Sequence, residues 1–239
     1  ADADPNEGRL QVLLAATAGL PEAMTLYGDL LRTGDAGLRE PKMAATWYRE
    51  AIAGGDATAA YGLGLLARDG DGAPADPAEA ARWFEIAAAA GVTEARCALA
   101  LLLLEGLGAP RDRLRAREQL LLAAGAGHAE AAFQLGRLTI EDPVIGGDRD
   151  TALDWFETAA AAGHREARAA AARLLREHAA RPAGLVRAYA WANLAASQGC
   201  PESKRLRDAM ETELAPRLVV EGEALARRLA AAAAPLSPS

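Results

Sequence analysis

The sequence predicts an all-α protein, a right-handed α-solenoid superhelix of antiparallel helix pairs. Three observations support this fold class: apolar residues make up 51% of the chain and most are alanine, aromatic residues are only 5%, and glycine returns every 36 residues. Alanine is the best helix former, and β-branched and aromatic residues are too few for a sheet protein. The repeating glycines are Gly19, Gly55, Gly91, Gly127, Gly163 and Gly199.

Other residue types return in phase with the glycines. A tryptophan column, broken once by Gln119, consists of Trp47, Trp83, Trp155 and Trp191. A column of small residues consists of Gly28, Gly64, Ala100, Gly136 and Ala172. We expect these small residues where the first helix of a pair (helix A) crosses the second (helix B). One pair cannot bury the aromatic side chains alone, so neighbouring pairs must stack.

The second repeat illustrates the predicted unit. Helix A runs from about Ala57 to Arg68 and ends at a loop rich in glycine and aspartate, which allows positive φ and stops the helix. Helix B opens with Asp76 as N-cap, Pro77 in the first turn and Glu79 in a capping-box-like position.

The whole chain, residues 1–239, is predicted to be a single repeat domain. Asp4, Pro5 and Glu7 match the start of helix B, so the array should open with half a repeat. The predicted segments are the half repeat 4–19, the repeats 20–55, 56–91, 92–127, 128–163 and 164–199, capping helices in 200–232 and a tail in 233–239.

The repeat resembles the Sel1-like repeat, a relative of the tetratricopeptide repeat. The matching residues are Ala59, Leu63, Gly64, Gly70, Gly72, Asp76, Ala80, Trp83, Phe84, Ala87 and Gly91. The segment from Arg187 to Ala196 resembles the last repeat that often closes bacterial members. Two repeats depart from the pattern, with Gln119 at a tryptophan position and a loop from His178 to Pro182 that lacks glycine at the Gly70 position. The resemblance implies an adaptor in signalling, secretion, cell-envelope or degradation complexes, while the fold does not fix the partner.

Three columns of helix A vary strongly between repeats and share one helix face. They predict a concave groove that is apolar in the middle and surrounded by arginines, suited to a partner peptide or helix. The apolar residues are Tyr61, Leu65, Leu101, Leu104, Phe133 and Ile140, and the arginines are Arg32, Arg68, Arg137, Arg173 and Arg176. The alternative interpretation is that Leu101, Leu104 and Phe133 belong to the core.

No motif predicts a catalytic residue, a metal or a cofactor. His128, His164 and His178 are interpreted as turn residues, and Asp69, Asp71 and Asp76 lack the final glutamate of a calcium loop. The first functional hypothesis is therefore a non-enzymatic scaffold. The second is an immunity or inhibitor protein that blocks a partner enzyme or effector. The third is a hydrolase of cell-wall or β-lactam type, for which Ser197 and Ser203 have no histidine nearby in sequence.

The expected partner is another protein or peptide. The net charge of −7 argues against a nucleic-acid backbone, and no apolar run reaches the length that spans a bilayer. Cys97 and Cys200 lie almost three repeats apart, so we expect two free thiols. No signal peptide is recognised, and the compartment, cytoplasmic or periplasmic, stays open. A monomer is the favoured oligomeric state.

Overall fold

A computed structural model describes residues 5–35, 37, 39–178 and 181–233. Within these ranges the regular secondary structure is helical, as the sequence predicts. The helices are α1 (Pro5–Thr17), α2 (Pro21–Thr33), α3 (Pro41–Ala53), α4 (Ala60–Asp69, preceded by a 3₁₀ turn Ala57–Ala59), α5 (Pro77–Ala89), α6 (Thr93–Glu105), α7 (Arg113–Gly125), α8 (Ala129–Glu141), α9 (Pro143–Gly146), α10 (Arg149–Ala161), α11 (Arg165–His178), α12 (Pro182–Ser197), α13 (Pro201–Glu213) and α14 (Pro216–Ala233). Asp4, Ala179, Ala180 and the predicted tail from 234 onward lie outside the described residues.

The chain divides into two compact units, residues 1–122 and residues 123–239. Unit 1 contains α1 to α6 and most of α7, and its helices pack in sequence order, α1 on α2, α2 on α3, α4 on α5 and α5 on α6. In unit 2, α8 packs on α10, α10 on α11, α11 on α12, and α12 on both α13 and α14. Helices joined by such short connections run antiparallel to their neighbours, so each unit is a stack of helical hairpins.

The glycines of the 36-residue column occupy left-handed turns between repeats. Their φ angles lie between 86° and 107°, and a Cβ atom added at any of them would meet no heavy atom within 4 Å. Backbone conformation alone therefore requires glycine there, because an L residue with a side chain is strained at such φ values.

The column of small residues lies where helix A crosses helix B, as predicted. A Cβ atom on Gly64 would lie 2.5 Å from two ring atoms of Phe84, a side chain with no exposed surface. The equivalent glycines of the first and fourth repeats, Gly28 and Gly136, would meet Tyr48 and Phe156 at 2.6 Å. The third and fifth repeats carry Ala100 and Ala172 instead, and the aromatic position is there filled by Leu120 and Ala192. Glycine thus stands wherever an aromatic ring fills the crossing.

The start of α5 follows the predicted pattern at Asp76 but not at Glu79. The Glu79 carboxylate accepts from the Trp83 indole at 3.2 Å, and the Asp76 amide donates to the Ala67 carbonyl at 2.8 Å, so no capping box forms. The Asp76 carboxylate accepts hydrogen bonds from the amides of Ala78 and Glu79 at 2.9 and 3.0 Å, which confirms it as the N-cap of α5. The predicted capping helices are α13 and α14, and in α14 Gly222 gives room to the buried ring of Tyr189, whose Cδ1 would lie 2.6 Å from an added Cβ.

Candidate partner-binding faces of the two units

The predicted site residues lie on the A helices, at intervals of three or four residues that place them on one side of each helix. The A-helix face of unit 1 is formed by Arg32 on α2, Tyr61, Leu65 and Arg68 on α4, and Leu101 and Leu104 on α6. The A-helix face of unit 2 is formed by Phe133, Arg137 and Ile140 on α8, and Arg173 and Arg176 on α11.

The apolar part of the unit 1 face is partly core. Leu65 is only 9% exposed and offers little surface to a partner, whereas Leu101, Leu104 and Tyr61 are half-buried. The Tyr61 ring lies 5.8 Å from the ring of Phe84 at a tilt of 42°, and its hydroxyl makes no hydrogen bond with another described residue. Burial raises the pKa of the Tyr61 hydroxyl. The face therefore offers Tyr61 and two leucines, with one predicted contact residue withdrawn into the core.

The arginines of the unit 1 face are held by neighbouring acids. Arg32 donates from Nε to the Tyr48 hydroxyl at 3.3 Å, and that hydroxyl donates to the Asp29 carboxylate at 2.8 Å. Burial and the Asp29 carboxylate both raise the pKa of Tyr48. Arg68 donates from two nitrogens to Asp69, at 2.6 and 3.1 Å. A partner that binds either guanidinium must share it with an acid of the chain.

Phe133 on the unit 2 face rests on a histidine that caps a helix. Its ring stacks on the His164 ring with centroids 4.4 Å apart. His164 Nδ1 accepts the Ala167 amide hydrogen at 3.2 Å, and Nε2 lies 2.7 Å from the Glu130 carboxylate. This pair of contacts requires a proton on Nε2 and none on Nδ1. The hydrogen bond from His164 is the main reason that the pKa of Glu130 is lowered.

Two of the three predicted turn histidines, His128 and His164, are therefore N-caps, whereas His178 is the last residue of α11. His128 Nδ1 accepts the Ala131 amide hydrogen at 3.2 Å, as His164 does one repeat later. The equivalent residue of the second repeat, Asp56, accepts the amide hydrogen of Thr58. A polar residue that directly follows the repeated glycine could have indicated this role from the sequence.

Two cavities of unit 2 adjoin Arg173. One, of about 290 Å³, is lined by Arg137 and Ile140 of α8 together with α11 residues. The other, of about 370 Å³, lies between α11 and α13 and is lined by Arg176 and Arg205. Ile140 is 43% exposed. The structure thus brings together four of the five predicted residues of this face, while Phe133 lies with His164.

The arginines around these cavities differ in how far they are neutralised. Arg137 donates to Glu141 at 3.1 Å, and Arg176 donates twice to Glu213 at 2.9 Å. Arg173 and Arg205 are exposed and have no ion-pair partner among the described residues. Sequence reasoning missed Arg205, although it stands 36 residues after Ala169 in one of the variable columns. Extension of that column into the capping helices could have found it.

The described residues show no constellation for catalysis at the two serines before the tail. The Ser197 hydroxyl donates to the Leu194 carbonyl at 2.7 Å, and the Ser203 hydroxyl donates to Cys200 Sγ at 3.2 Å. That hydrogen bond lowers the pKa of the Cys200 thiol. Neither Cys97 nor Cys200 forms a disulfide, and no cluster of metal-ligating residues occurs within the described ranges. Among these residues, no helix combines the length and apolar character needed to cross a lipid bilayer.

Comparison with known protein families finds a match over most of the repeat array. The model described as Sel1 repeat matches residues 21–56, 57–92, 93–128, 129–164 and 182–200. Comparison with curated proteins finds no significant match.

Several solved structures share the fold. A Sel1 repeat protein from Oxalobacter formigenes is 25% identical, with a TM-score of 0.73 over 96% of this chain and 67% of that chain. A sel1 repeat protein from Klebsiella pneumoniae is 22% identical, with a TM-score of 0.55 over 87% of this chain and 100% of that chain. An immunity protein from Pseudomonas aeruginosa is 22% identical, with a TM-score of 0.51 over 88% of this chain and 82% of that chain.

Proposed function

Because the chain belongs to the Sel1 repeat family, a family of protein-interaction repeats, we propose that it is a scaffold or adaptor whose A-helix faces bind a partner protein. The biological setting that we propose is a bacterial signalling, secretion or envelope complex. The partner segment is a peptide or helix that carries apolar anchors and some acidic residues.

The observation that carries this proposal is the unit 2 face. Arg173 lies between two cavities and has no acidic partner among the described residues, while Ile140 beside it is 43% exposed. Protein interfaces commonly combine a desolvated apolar centre with arginine at its margin. An aliphatic side chain of the partner would fill a cavity, and a carboxylate would pair with Arg173.

The first test is a double charge reversal, Arg137→Glu with Arg173→Glu, in the full chain. The matched control is Arg227→Glu with Arg228→Glu, which makes the same charge change at two exposed positions of α14. Cross-linked partners are captured from a lysate of the producing organism and compared between variants. We expect the first variant to lose partners that the wild type and the control retain.

Stability must be measured alongside capture. Each reversal places a new glutamate four residues before an existing one, Glu141 for position 137 and Glu177 for position 173. Each such like-charge pair costs about a few tenths of a kcal/mol of helix stability. A melting curve by circular dichroism shows whether the variant remains folded at the assay temperature. If a folded reversal variant captures the same proteins as the wild type with the same efficiency, the A-helix face of unit 2 is not the binding site.

An inhibitory role uses the same face but differs in its consequence. If the captured partner is an enzyme whose activity falls on addition of this chain, the chain is a blocker of immunity or inhibitor type. If its activity is unchanged while further proteins join the complex, the chain is an adaptor.

A further inference from the structure

A third cavity of unit 2, of about 560 Å³, lies on the side of the A–B loops. It is bounded by Arg149 and Asp150 at the start of α10, by the end of α11 with His178, and by the start of α12. None of the predicted partner-binding residues lines it. The fifth-repeat loop that departs from the family pattern contributes His178 and Arg181 to its wall.

Unit 1 contains the equivalent cavity, which serves as an internal reference. It is lined by Pro41, Lys42, Ala73 and Glu79, among others, and measures about 260 Å³. Three repeat periods later these positions hold Arg149, Asp150, Arg181 and Arg187. The stacking of repeats therefore forms the cavity in both units, while the sequence of unit 2 replaces a proline, an alanine and a glutamate with arginines and replaces Lys42 with Asp150.

The charges that line the unit 2 cavity are unbalanced. Arg187 is neutralised by Glu157, to which it donates two hydrogen bonds. Arg149 donates to a ring nitrogen of His178, a contact that leaves its charge uncompensated, and Arg181 has no acidic partner among the described residues. Among the described residues, Asp150 is the one acid in the cavity wall, and Glu177 lies 3.8 Å from His178 Nε2. Two guanidiniums thus face one carboxylate in the wall of the cavity.

The backbone at the cavity adds positive potential. Ala183 and Gly184 lie in the first turn of α12, whose N-cap residue Arg181 makes no side-chain cap hydrogen bond. Pro182 has no amide hydrogen and the Gly184 amide donates to the Arg181 carbonyl at 3.0 Å, so this end contributes mainly its helix dipole, which favours an anion. The dipole reinforces the guanidiniums of Arg149 and Arg181, which are the principal groups of the site.

We propose that this cavity binds a phosphate group, carried by a small molecule or by a phosphorylated partner segment. Two guanidiniums beside one carboxylate leave a net positive charge, which an oxyanion with up to two negative charges matches better than a single carboxylate does. The volume lies within the range of small-ligand pockets and exceeds the space needed by a bare ion. The site is distinct from the A-helix face of unit 2, so failure of either proposal leaves the other standing.

The test uses the full chain and four probes at constant ionic strength, because salt screens exposed charges. The probes are inorganic phosphate, acetate, a hexapeptide with one phosphoserine, and the same peptide without phosphate. Binding is measured by isothermal titration calorimetry for the wild type, for Arg149→Ala with Arg181→Ala, and for the control Arg227→Ala with Arg228→Ala. Melting curves confirm that each variant is folded.

We expect the double variant to bind phosphate or the phosphopeptide about tenfold or more weakly than the wild type and the control. Loss of inorganic phosphate binding would identify the phosphate group itself as the ligand. Loss of phosphopeptide binding alone would identify a phosphorylated chain as its source. Three results would each overturn the proposal: acetate binding as tightly as phosphate, equal binding by the double variant and the control, or no binding of any phosphorylated probe to the wild type.

Discussion

The crossing of helix A and helix B in the second repeat offers a sharp test of the packing argument. We consider the substitution Gly64→Ala, which in a solvated helix would be stabilising. In this chain the new Cβ would lie 2.5 Å from Cδ1 and Cε1 of Phe84. Real carbon atoms do not approach so closely, and Phe84 has no exposed surface into which its ring could move.

The expected magnitude follows from two opposing contributions. Alanine gains about 1 kcal/mol over glycine in helix propensity. Overpacking of a filled core costs about 1–3 kcal/mol, and the short distance to a rigid ring favours the upper part of that range. We therefore expect Gly64→Ala to lower the free energy of unfolding by about 1–2 kcal/mol.

The control is Gly8→Ala in α1 of the same unit, where an added Cβ meets no heavy atom within 4 Å. It should be neutral or should stabilise by up to about 1 kcal/mol. Urea unfolding followed by far-ultraviolet circular dichroism gives the midpoint and slope for each variant. If Gly64→Ala stabilised the chain as much as Gly8→Ala does, the crossing argument would be wrong.

A compensating variant strengthens the test. The third repeat carries Ala100 and Leu120 at the positions of Gly64 and Phe84. Gly64→Ala combined with Phe84→Leu copies that pair into the second repeat. We expect the free energy of unfolding of the double variant to exceed the value obtained by adding the two single effects. The difference should be about 1 kcal/mol or more, because the two substitutions share one contact.

Three further predictions concern single side chains. Asp76→Ala removes the acceptor of two first-turn amides and should lower the free energy of unfolding by about 1 kcal/mol, measured by urea titration. Gln119→Leu should raise it by about 1 kcal/mol, because Oε1 of Gln119 is buried without a hydrogen-bond partner among the described residues; an unchanged midpoint would argue against this. The hydrogen bond from His164 holds the pKa of Glu130 below its ordinary 4.5. The Glu130 carboxylate therefore contributes to the free energy of unfolding above pH 4.5, and this contribution is lost as the pH falls through the lowered pKa. Melting curves between about pH 5 and 3 should therefore show a smaller loss of stability for Glu130→Gln than for the wild type.

The sequence predicts the architecture well because packing requires the same residue types in every repeat. The glycine column fixes the turns through φ, and the small-residue column fixes the helix crossings through sterics. The region predicted to hold capping helices, 200–232, contains α13 and all of α14 except its last residue. Each of these features depends on residues close in sequence or on one neighbouring repeat.

The candidate faces are less predictable because burial depends on several helices at once. Leu65 and Leu101 occupy the same column, yet Leu65 is buried and Leu101 is half-buried. Residue type and spacing cannot separate these cases, since both leucines occupy the same helical position. The pairing of Arg176 with Glu213 lies beyond sequence reasoning for the same reason, because it joins two helices through side-chain conformations.

Equivalent positions of the different repeats can be compared with one another, and the two proposed sites follow from that comparison. Where a column holds the same residue type in every unit, the structure gives a packing reason, as with Gly64 against Phe84. Where the residue type in a column varies between repeats, packing does not require one particular side chain. The side chain at such a position can then serve binding. Arg173 replaces Leu65 of the second repeat within the same helix, and Arg181 replaces Ala73 in a loop whose backbone also differs, since α12 begins at Pro182 and the start of α5 corresponds to position 185. Alanine substitution of Arg173 or Arg181 should therefore change binding with little change in the unfolding midpoint, whereas substitution of Gly64 should do the reverse.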